Sequence, residues 1–136
     1  MIPIAFTGTS DKVSAKQIWL LNAFCEKLDE YYGGEIELHH GDCINADAIA
    51  HAVAVSLDWD IVIHPPNIRT KRAFCNIGRI VKVHKPLPYL DRNHQMVDET
   101  VRLIAVPKGL EIMRSGTWAT VRYARKLQRP TKFIYP

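Results

Sequence analysis

The sequence predicts an α/β domain of three layers, in which helices cover both faces of a mainly parallel sheet of about five strands. Its 136 residues are the length of one domain with one hydrophobic core. Short apolar runs alternate with longer segments of helical periodicity, as in parallel strands joined by helices. With 47% hydrophobic and 24% charged residues, the composition is that of an ordinary globular protein and excludes a disordered or fibrous chain.

The first half of the chain is expected to hold three strands and two helices. The first strand is apolar, the second alternates polar with apolar residues, and the third is continuously apolar, as in a strand buried on both faces. The first helix has apolar residues at helical spacing and ends at a Gly-Gly pair, and the second is expected to bury Ile44, Ala48, Ala52 and Val55. These elements are strands at 3–7, 35–39 and 61–63 and helices at about 14–32 and 43–57.

The second half is expected to begin with a long loop. Residues 64–88 contain four prolines, which predict a loop with at most a short helix or strand. Loops of this length in a compact domain are usually functional or mobile. After it, the periodicity predicts helices at 89–100 and 116–128 and strands at 101–106 and 133–135. Ligands of such sheets bind at the carboxyl ends of the strands.

Basic residues are concentrated in two stretches that contain no acid. The chain has 18 Lys and Arg against 14 Asp and Glu, a formal charge of +4. Twelve of the 18 bases lie in residues 61–90 and 112–136, which contain no Asp or Glu. This segregation fits an anionic partner, although a solvated basic surface is the alternative. The part of the first stretch from 69 to 85 is a candidate lid over a binding site.

Three predicted strand-to-helix turns combine glycine with hydroxyl or charged side chains. Glycine lets the backbone approach a ligand, hydroxyls donate hydrogen bonds, and a helix N-terminus favours negative charge. Arg92 and Asn93 lie near the start of the helix at 89–100, where a cation is poorly matched to the helix dipole. The turn residues are Gly8, Thr9 and Ser10, then Gly41 and Asp42, and finally Arg114, Ser115, Gly116 and Thr117, of which Arg114 is suited to clamp a phosphate.

The sequence predicts neither a metal site nor a membrane segment. Three cysteines without a CxxC pair fit the reducing cytosol, and His39, His40 and Cys43 are too few ligands for zinc. His51 and His94 are expected on helix surfaces. No apolar run approaches the ~18 residues of a membrane span, and no signal peptide is evident. We therefore expect a cytoplasmic protein that contains no metal or other cofactor.

The turns resemble those of the SLOG superfamily of Rossmann-like proteins. This superfamily includes DNA-processing protein A, the Lonely Guy phosphoribohydrolases and sensor domains for nucleotide-derived signals. The resemblance spans nearly the whole chain and implies that residues 1–136 form a single Rossmann-like nucleotide-binding domain. It is carried by His40-Gly41-Asp42-Cys43, Asn45-Ala46-Asp47, Arg92-Asn93 and Arg114-Ser115-Gly116-Thr117-Trp118-Ala119-Thr120.

The resemblance also implies roles for individual residues. Gly8 and Thr9 would line the base or ribose side, and Asp42 would bind a ribose hydroxyl in a turn shaped with Gly41 and Asp47. Arg92 would hold phosphate together with Ser115, Gly116 and Thr117. The Lonely Guy enzymes carry a catalytic glutamate in the motif Pro-Gly-Gly-x-Gly-Thr-x-x-Glu, whereas Thr120 occupies that position here.

Three functions remain open at this point. The first is binding of a nucleotide or nucleotide-derived signalling molecule by a sensor or sequestering protein, which the missing glutamate favours. The second is an N-glycosidic hydrolase, for which Asp42, Asp47 and Glu111 are the candidate acid or base residues. The third is a single-stranded DNA-binding module, which the modest net charge and the lack of an aromatic platform disfavour. A homodimer is expected because related domains often pair through helices.

Overall fold

The structure, a computed structural model, describes all 136 residues. Its six strands form one sheet in which every pair of neighbours is parallel. The strands are β1 (Ile2–Gly8), β2 (Ile36–His40), β3 (Asp60–Ile63), β4 (Arg79–Val83), β5 (Arg102–Val106) and β6 (Thr131–Phe133). The helices are α1 (Ala15–Tyr31), α2 (Ala46–Ser56), α3 (Tyr89–Asp98) and α4 (Gly116–Lys126). The predicted α/β class is confirmed.

Two helices cover each face of the sheet. Apolar residues of α1 and α2 pack against Ile4 and Phe6 of β1 in the larger core cluster. Residues of α3 and α4 pack with Ala5, Leu103 and Ala105 on the opposite face. Because side chains alternate between the faces of a strand, neighbouring residues such as Ala5 and Phe6 belong to different cores.

The strand order places the loops after β1 and β5 at the centre of the sheet. The order is β4-β3-β2-β1-β5-β6, so the chain moves outward from β1 to β4 and then returns to β5 on the other side of β1. The connections that leave neighbouring β1 and β5 therefore run in opposite directions and leave a crevice at the carboxyl ends of these strands.

The start of α1 is hydrogen-bonded to the segments that follow β5 and β6. Ser14 and Gln17 form a capping box, each side chain bonding the backbone N–H of the other. The buried amide of Gln17 also donates to the carbonyl oxygens of Pro107 and Ile134, at 2.8 and 3.0 Å. These bonds fix the chain just after β5 and β6.

The segment 64–88, expected to be a loop with at most a short helix or strand, contains the five-residue edge strand β4, whose side chains are mostly exposed. The sheet therefore has six strands, against about five expected. The predicted buried face of α2 is correct only in part, because Ala48 and Val55 are half-buried whereas Ala52 and Ile44, which precedes the helix, are exposed. Its buried residues are Ala46, Asp47, Ala50, His51, Val53 and Ala54. Two polar residues share this face, so apolar periodicity alone gives the wrong phase. None of the helices combines the length and apolar character that crossing a membrane requires.

Candidate functional site at the carboxyl ends of the strands

A cleft of about 740 Å³ opens at the carboxyl ends of the central strands. Its walls come from the turns after β1 and β2, from the first turns of α3 and α4, and from the loops at 68–71 and 108–114. Of the ligand-binding residues predicted from the sequence, all line this cleft except Asp42. They are Gly8, Thr9, Ser10, Gly41, Asp47, Arg92, Asn93, Arg114, Ser115, Gly116 and Thr117.

The turn after β1 is held on both sides by backbone hydrogen bonds. The Thr9 N–H donates to the Val106 carbonyl at 3.0 Å, and the Thr9 carbonyl accepts from the Ala46 N–H at 3.2 Å. A side chain at Gly8 would overlap the Cβ of Ala46, so glycine is required for β1 to approach the start of α2. This turn therefore presents Thr9 and Ser10 to the cleft from a rigid support.

Arg92 is a buried cation in the cleft wall, 5% exposed. Its Nη1 donates to the carbonyls of Gly41 and His64, at 2.5 and 3.1 Å, and its Nε donates to Asn93 Oδ1 at 2.8 Å. A Cβ at Gly41 would overlap the guanidinium, which explains glycine at this position. Only Nη2 retains capacity for a ligand, since its contact with Cys43 Sγ is long, at 3.9 Å.

Asp42 does not reach the cleft. Its carboxylate is buried and accepts hydrogen bonds from Arg72 Nε at 2.8 Å and from the Cys75 N–H at 3.0 Å. Asp42 has a φ of +56°, a conformation that Asp and Asn tolerate better than most residues. The ribose contact expected for Asp42 does not fit this position, because both oxygens anchor the 72–75 segment.

Asp47 is the buried carboxyl of the cleft. It lies in the first turn of α2, is 4% exposed, and accepts a hydrogen bond from the Cys43 N–H at 3.1 Å. Burial raises the pKa of Asp47 from 3.8 to about 6, and the nearby positive charge of Arg92 opposes the rise. Perturbed carboxyl groups of this kind concentrate at functional sites.

The first turn of α4 borders the opposite wall. Ser115 caps the helix by accepting from the Trp118 N–H at 3.3 Å, and Gly116 faces open space. Arg114 is exposed beside them. Glu111, a candidate catalytic residue, does not line the cleft and instead forms ion pairs with Arg122 at 3.1 Å and Arg125 at 3.7 Å.

The charge of the cleft lining is predominantly positive. Lys71, Arg92, Lys108 and Arg114 line it, against the carboxyls of Asp11 and Asp47. Lys108 pairs with Asp11 at 3.0 Å, but both side chains are exposed, so the pair is weak.

The acid-free segment expected to form a lid reaches the cleft only in part. Within the predicted lid at 69–85, Thr70 and Lys71 line the cleft, whereas residues 79–83 belong to the edge strand. The sequence had not singled out several other lining residues. Ile68, Thr70, Tyr89 and Ile112 carry no signal that separates them from ordinary loop and packing residues. Cys43 was noted only within the resemblance and the weak zinc-ligand group, and the charge pattern pointed to the region of Lys71.

His51 is buried, so the expectation of a helix-surface position is wrong. The N–H of His40 Nε2 bonds His51 Nδ1 at 2.9 Å, and the N–H of His51 Nε2 bonds the Ile77 carbonyl at 2.8 Å. His40 Nδ1 accepts from the Asp42 N–H at 2.9 Å. Burial lowers the pKa of His40 to about 3. Every ring nitrogen of this pair is thus used, and the pair fastens α2 to β2 and to the segment before β4.

No protein-family model matches the chain, and no curated protein matches it. Solved structures do share its fold. A molybdenum cofactor binding protein from Rippkaea orientalis aligns with a TM-score of 0.73 and 17% identity, over 99% of this chain and 77% of that one. The structural-genomics target TM1055 aligns with a TM-score of 0.67 and 16% identity, over 96% and 72% of the two chains.

DNA processing protein A from Helicobacter pylori, described with a single-stranded DNA binding mode, aligns with a TM-score of 0.65 and 14% identity. The alignment covers 97% of this chain but only 64% of that protein. The fold is Rossmann-like. The fold expected from the SLOG resemblance is thereby confirmed.

Proposed function

We propose that this chain binds a nucleotide or nucleotide-derived signalling molecule in the cleft, as a sensor or sequestering protein. The observation that carries the proposal is the cluster of four basic side chains that line the cleft. The cleft lies at the switch point of the sheet, and the start of α4 forms part of its wall. This location is where Rossmann-like sheets hold ligands, and the volume of about 740 Å³ lies within the range of small-molecule sites.

The phosphate would bind at the start of α4. The first backbone N–H groups of a helix lack intrahelical partners and favour an anion, and Gly116 leaves room for one to approach. Arg114 and Lys71 supply charges from exposed side chains, and Nη2 of Arg92 supplies one from a buried side chain. The base and ribose would lie toward Thr9, Ser10 and Asp47, beside the apolar side chains of Ile68 and Ile112.

The neighbours in structure give general support. One is named as a cofactor-binding protein and another as a single-stranded DNA-binding protein, so this fold accommodates ligands of both kinds. The homodimer and the cytoplasmic location expected from the sequence stay predictions.

A thermal-shift screen tests the proposal. A ligand at about 100 times its Kd adds about 2.7 kcal/mol to the stability, which corresponds to a Tm rise of roughly 5–10 °C. We expect a nucleotide, a cyclic dinucleotide or an ADP-ribose derivative to produce such a rise. A short single-stranded oligonucleotide belongs in the same screen, because a rise for the oligonucleotide alone, steeply reduced by salt, would indicate the DNA-binding alternative.

The matched variants are Arg114→Gln and Lys126→Gln. Both remove one positive charge from the α4 region, but only Arg114 lines the cleft, whereas Lys126 lies in the last turn of the helix. Loss of a charge-assisted phosphate bond, worth about 1.5–3 kcal/mol, should weaken binding tenfold or more in Arg114→Gln. Lys126→Gln should bind as the parent does. Equal affinities of the two variants would contradict a phosphate contact by Arg114, and no shift with any phosphorylated compound would contradict the proposed function.

The second candidate function is N-glycosidic hydrolysis, and Asp47 is the observation that favours it. A carboxyl whose pKa is raised by burial to about 6 can donate a proton to a departing base near neutral pH. Of the three candidate acids, only Asp47 lines the cleft. Release of free base from nucleoside 5′-monophosphates, lost in Asp47→Asn and retained in Glu111→Gln, would establish this activity. Bound nucleotide that stays intact would favour the binding function.

A further inference from the structure

A second group of polar side chains lies outside the cleft, under the C-terminal end of α3. His39 belongs to β2, His64 follows β3, and Glu99 caps α3, so three separate elements bring the group together. His39 Nδ1 lies 2.8 Å from His64 Nε2, and Glu99 Oε1 lies 3.7 and 3.8 Å from these two nitrogens. None of the three residues lines the cleft.

These separations match the spacing of metal ligands. With Zn–N bonds of about 2.0–2.1 Å and Zn–O bonds of similar length, neighbouring ligand atoms of a tetrahedral site lie about 3.4 Å apart. The distances from Glu99 Oε1 slightly exceed this value, and the distance between the two imidazoles falls short of it. A small opening of the imidazole pair would therefore bring all three atoms to ligand distance. At 3.7 Å or more, the carboxylate is too far from either ring for a hydrogen bond.

Each histidine is held by a partner on its other ring nitrogen, and the Glu99 oxygen that faces the two imidazoles also accepts from His84. Glu37 Oε1 bonds His39 Nε2 at 2.7 Å, Gln95 Oε1 bonds His64 Nδ1 at 2.8 Å, and His84 Nε2 bonds Glu99 Oε1 at 3.0 Å. Carboxylates and carbonyl oxygens behind histidine ligands are the usual outer partners of metal sites, because they fix the ring orientation and the tautomer.

The outer partners leave His39 Nδ1 free to bind a metal ion. Glu37 can only accept, so His39 carries its hydrogen on Nε2 and presents a bare Nδ1. The Gln95 amide can turn either its oxygen or its NH2 group toward His64 Nδ1. With the NH2 group there, His64 Nε2–H donates to His39 Nδ1 at 2.8 Å; with the oxygen there, His64 Nε2 is bare and both imidazoles can ligate one ion.

The other buried histidine pair offers no nitrogen to an ion. In His40 and His51 every N–H has an acceptor and every bare nitrogen has a donor. Cys75 Sγ lies near enough to complete a ligand set with them, but their hydrogen bonds leave no lone pair free for an ion.

We propose that His39 Nδ1, His64 Nε2 and Glu99 Oε1 bind one divalent transition-metal ion of the zinc class. Two imidazoles and one carboxylate suit zinc better than the oxygen-preferring magnesium or calcium. The side chain of Glu99 is 38% exposed, so the ion has a path to solvent, and a water molecule would complete the tetrahedron. The site is independent of the proposed nucleotide cleft.

Metal titration of the full chain tests the site. After dialysis against a chelator, Zn²⁺ is titrated by calorimetry, and Co²⁺ is added to read the coordination from its visible absorption. We expect one equivalent of Zn²⁺ and a Co²⁺ spectrum of a four- or five-coordinate site. Glu99→Gln should weaken binding at least tenfold, and its partial exposure lets the variant fold. Glu37→Gln, which replaces the outer carboxylate with a neutral amide, should weaken binding about tenfold.

Two controls separate this site from others. Asp98→Asn removes a carboxylate next to Glu99 in sequence, whose oxygen bonds Tyr123 rather than the cluster, and it should bind Zn²⁺ as the parent does. His51→Gln tests the other histidine pair and should also retain binding. Absence of stoichiometric Zn²⁺ binding would overturn the proposal, as would binding that survives both Glu99→Gln and Glu37→Gln in folded protein, or binding lost only in His51→Gln.

Discussion

Burial of the ionised Asp47 carboxylate in the cleft wall should lower the free energy of unfolding, and replacing Asp47 by Asn tests this expectation. The pKa of Asp47 is raised from 3.8 to about 6, chiefly by burial. At about 1.36 kcal/mol for each unit of pKa, this rise in pKa corresponds to roughly 3 kcal/mol in favour of protonated Asp47 in the folded protein. Asn resembles that neutral form in size and can still accept from the Cys43 N–H.

The sign of the pH dependence follows from proton binding. Between pH 4 and 6 the folded protein holds a proton on Asp47 that the unfolded chain has released, so the free energy of unfolding falls as the pH rises. Above pH 6 both states are ionised and the full penalty is present. Asp47→Asn should therefore be more stable than the parent by up to about 3 kcal/mol at pH 7.5, and this advantage should disappear by about pH 4.

Urea unfolding followed by circular dichroism between pH 4 and 7.5 provides the measurement, with the difference between variant and parent taken at each pH. Buried His40, whose pKa is lowered to about 3, makes both proteins less stable as the pH falls below 6.5, which is opposite to the effect of Asp47. Because His40 is present in both proteins, its effect cancels in the difference, which therefore reports on Asp47. Glu26→Gln, at an exposed position in α1, controls for the loss of a carboxyl charge. A constant difference across the pH range, or a variant less stable than the parent at pH 7.5, would refute this account of Asp47.

Two further predictions concern glycines of the cleft. In Gly41→Ala, the Cβ of the new alanine would displace the Arg92 guanidinium from the carbonyl oxygens of residue 41 and His64. The free energy of unfolding should therefore fall by about 2–4 kcal/mol and the Tm by roughly 10 °C. A calorimetric change below about 0.5 kcal/mol would show that Arg92 moves without penalty. Gly116→Val should leave the Tm nearly unchanged, since no atom lies within 4 Å of the added Cβ, but should weaken nucleotide binding by tenfold or more. Undiminished affinity in this variant would place the ligand away from the first turn of α4.

The sequence was sufficient for the elements whose residues form a local pattern. Apolar runs separated by helical periodicity predicted the parallel sheet, and glycine with hydroxyl residues marked the turns that line the cleft. These signals are local, because a strand, a cap or a tight turn depends on residues a few positions apart.

Contacts between distant segments required the tertiary structure. Asp42 and Asp47 are five residues apart and have the same side chain, yet Arg72 and the Cys75 N–H hold the first away from the cleft, while α2 directs the second into it. The edge strand β4 contains the apolar residues Ile80, Val81 and Val83, but its side chains are mostly exposed, and only its backbone pairing with β3 shows that it belongs to the sheet.

The histidines show the same division most clearly. His39 and His40 are adjacent in the sequence, where they looked like one weak ligand group. The alternation of side chains along β2 sends them to opposite faces of the sheet. His40 meets His51 of α2, and His39 meets His64 and Glu99, which lie 25 and 60 positions further along the chain. The composition and local patterns of the chain therefore determined its fold class and the position of its cleft. The pairing of its buried charges and histidines depends on the order of the strands and on the face of the sheet to which each side chain points, and no local pattern encodes either.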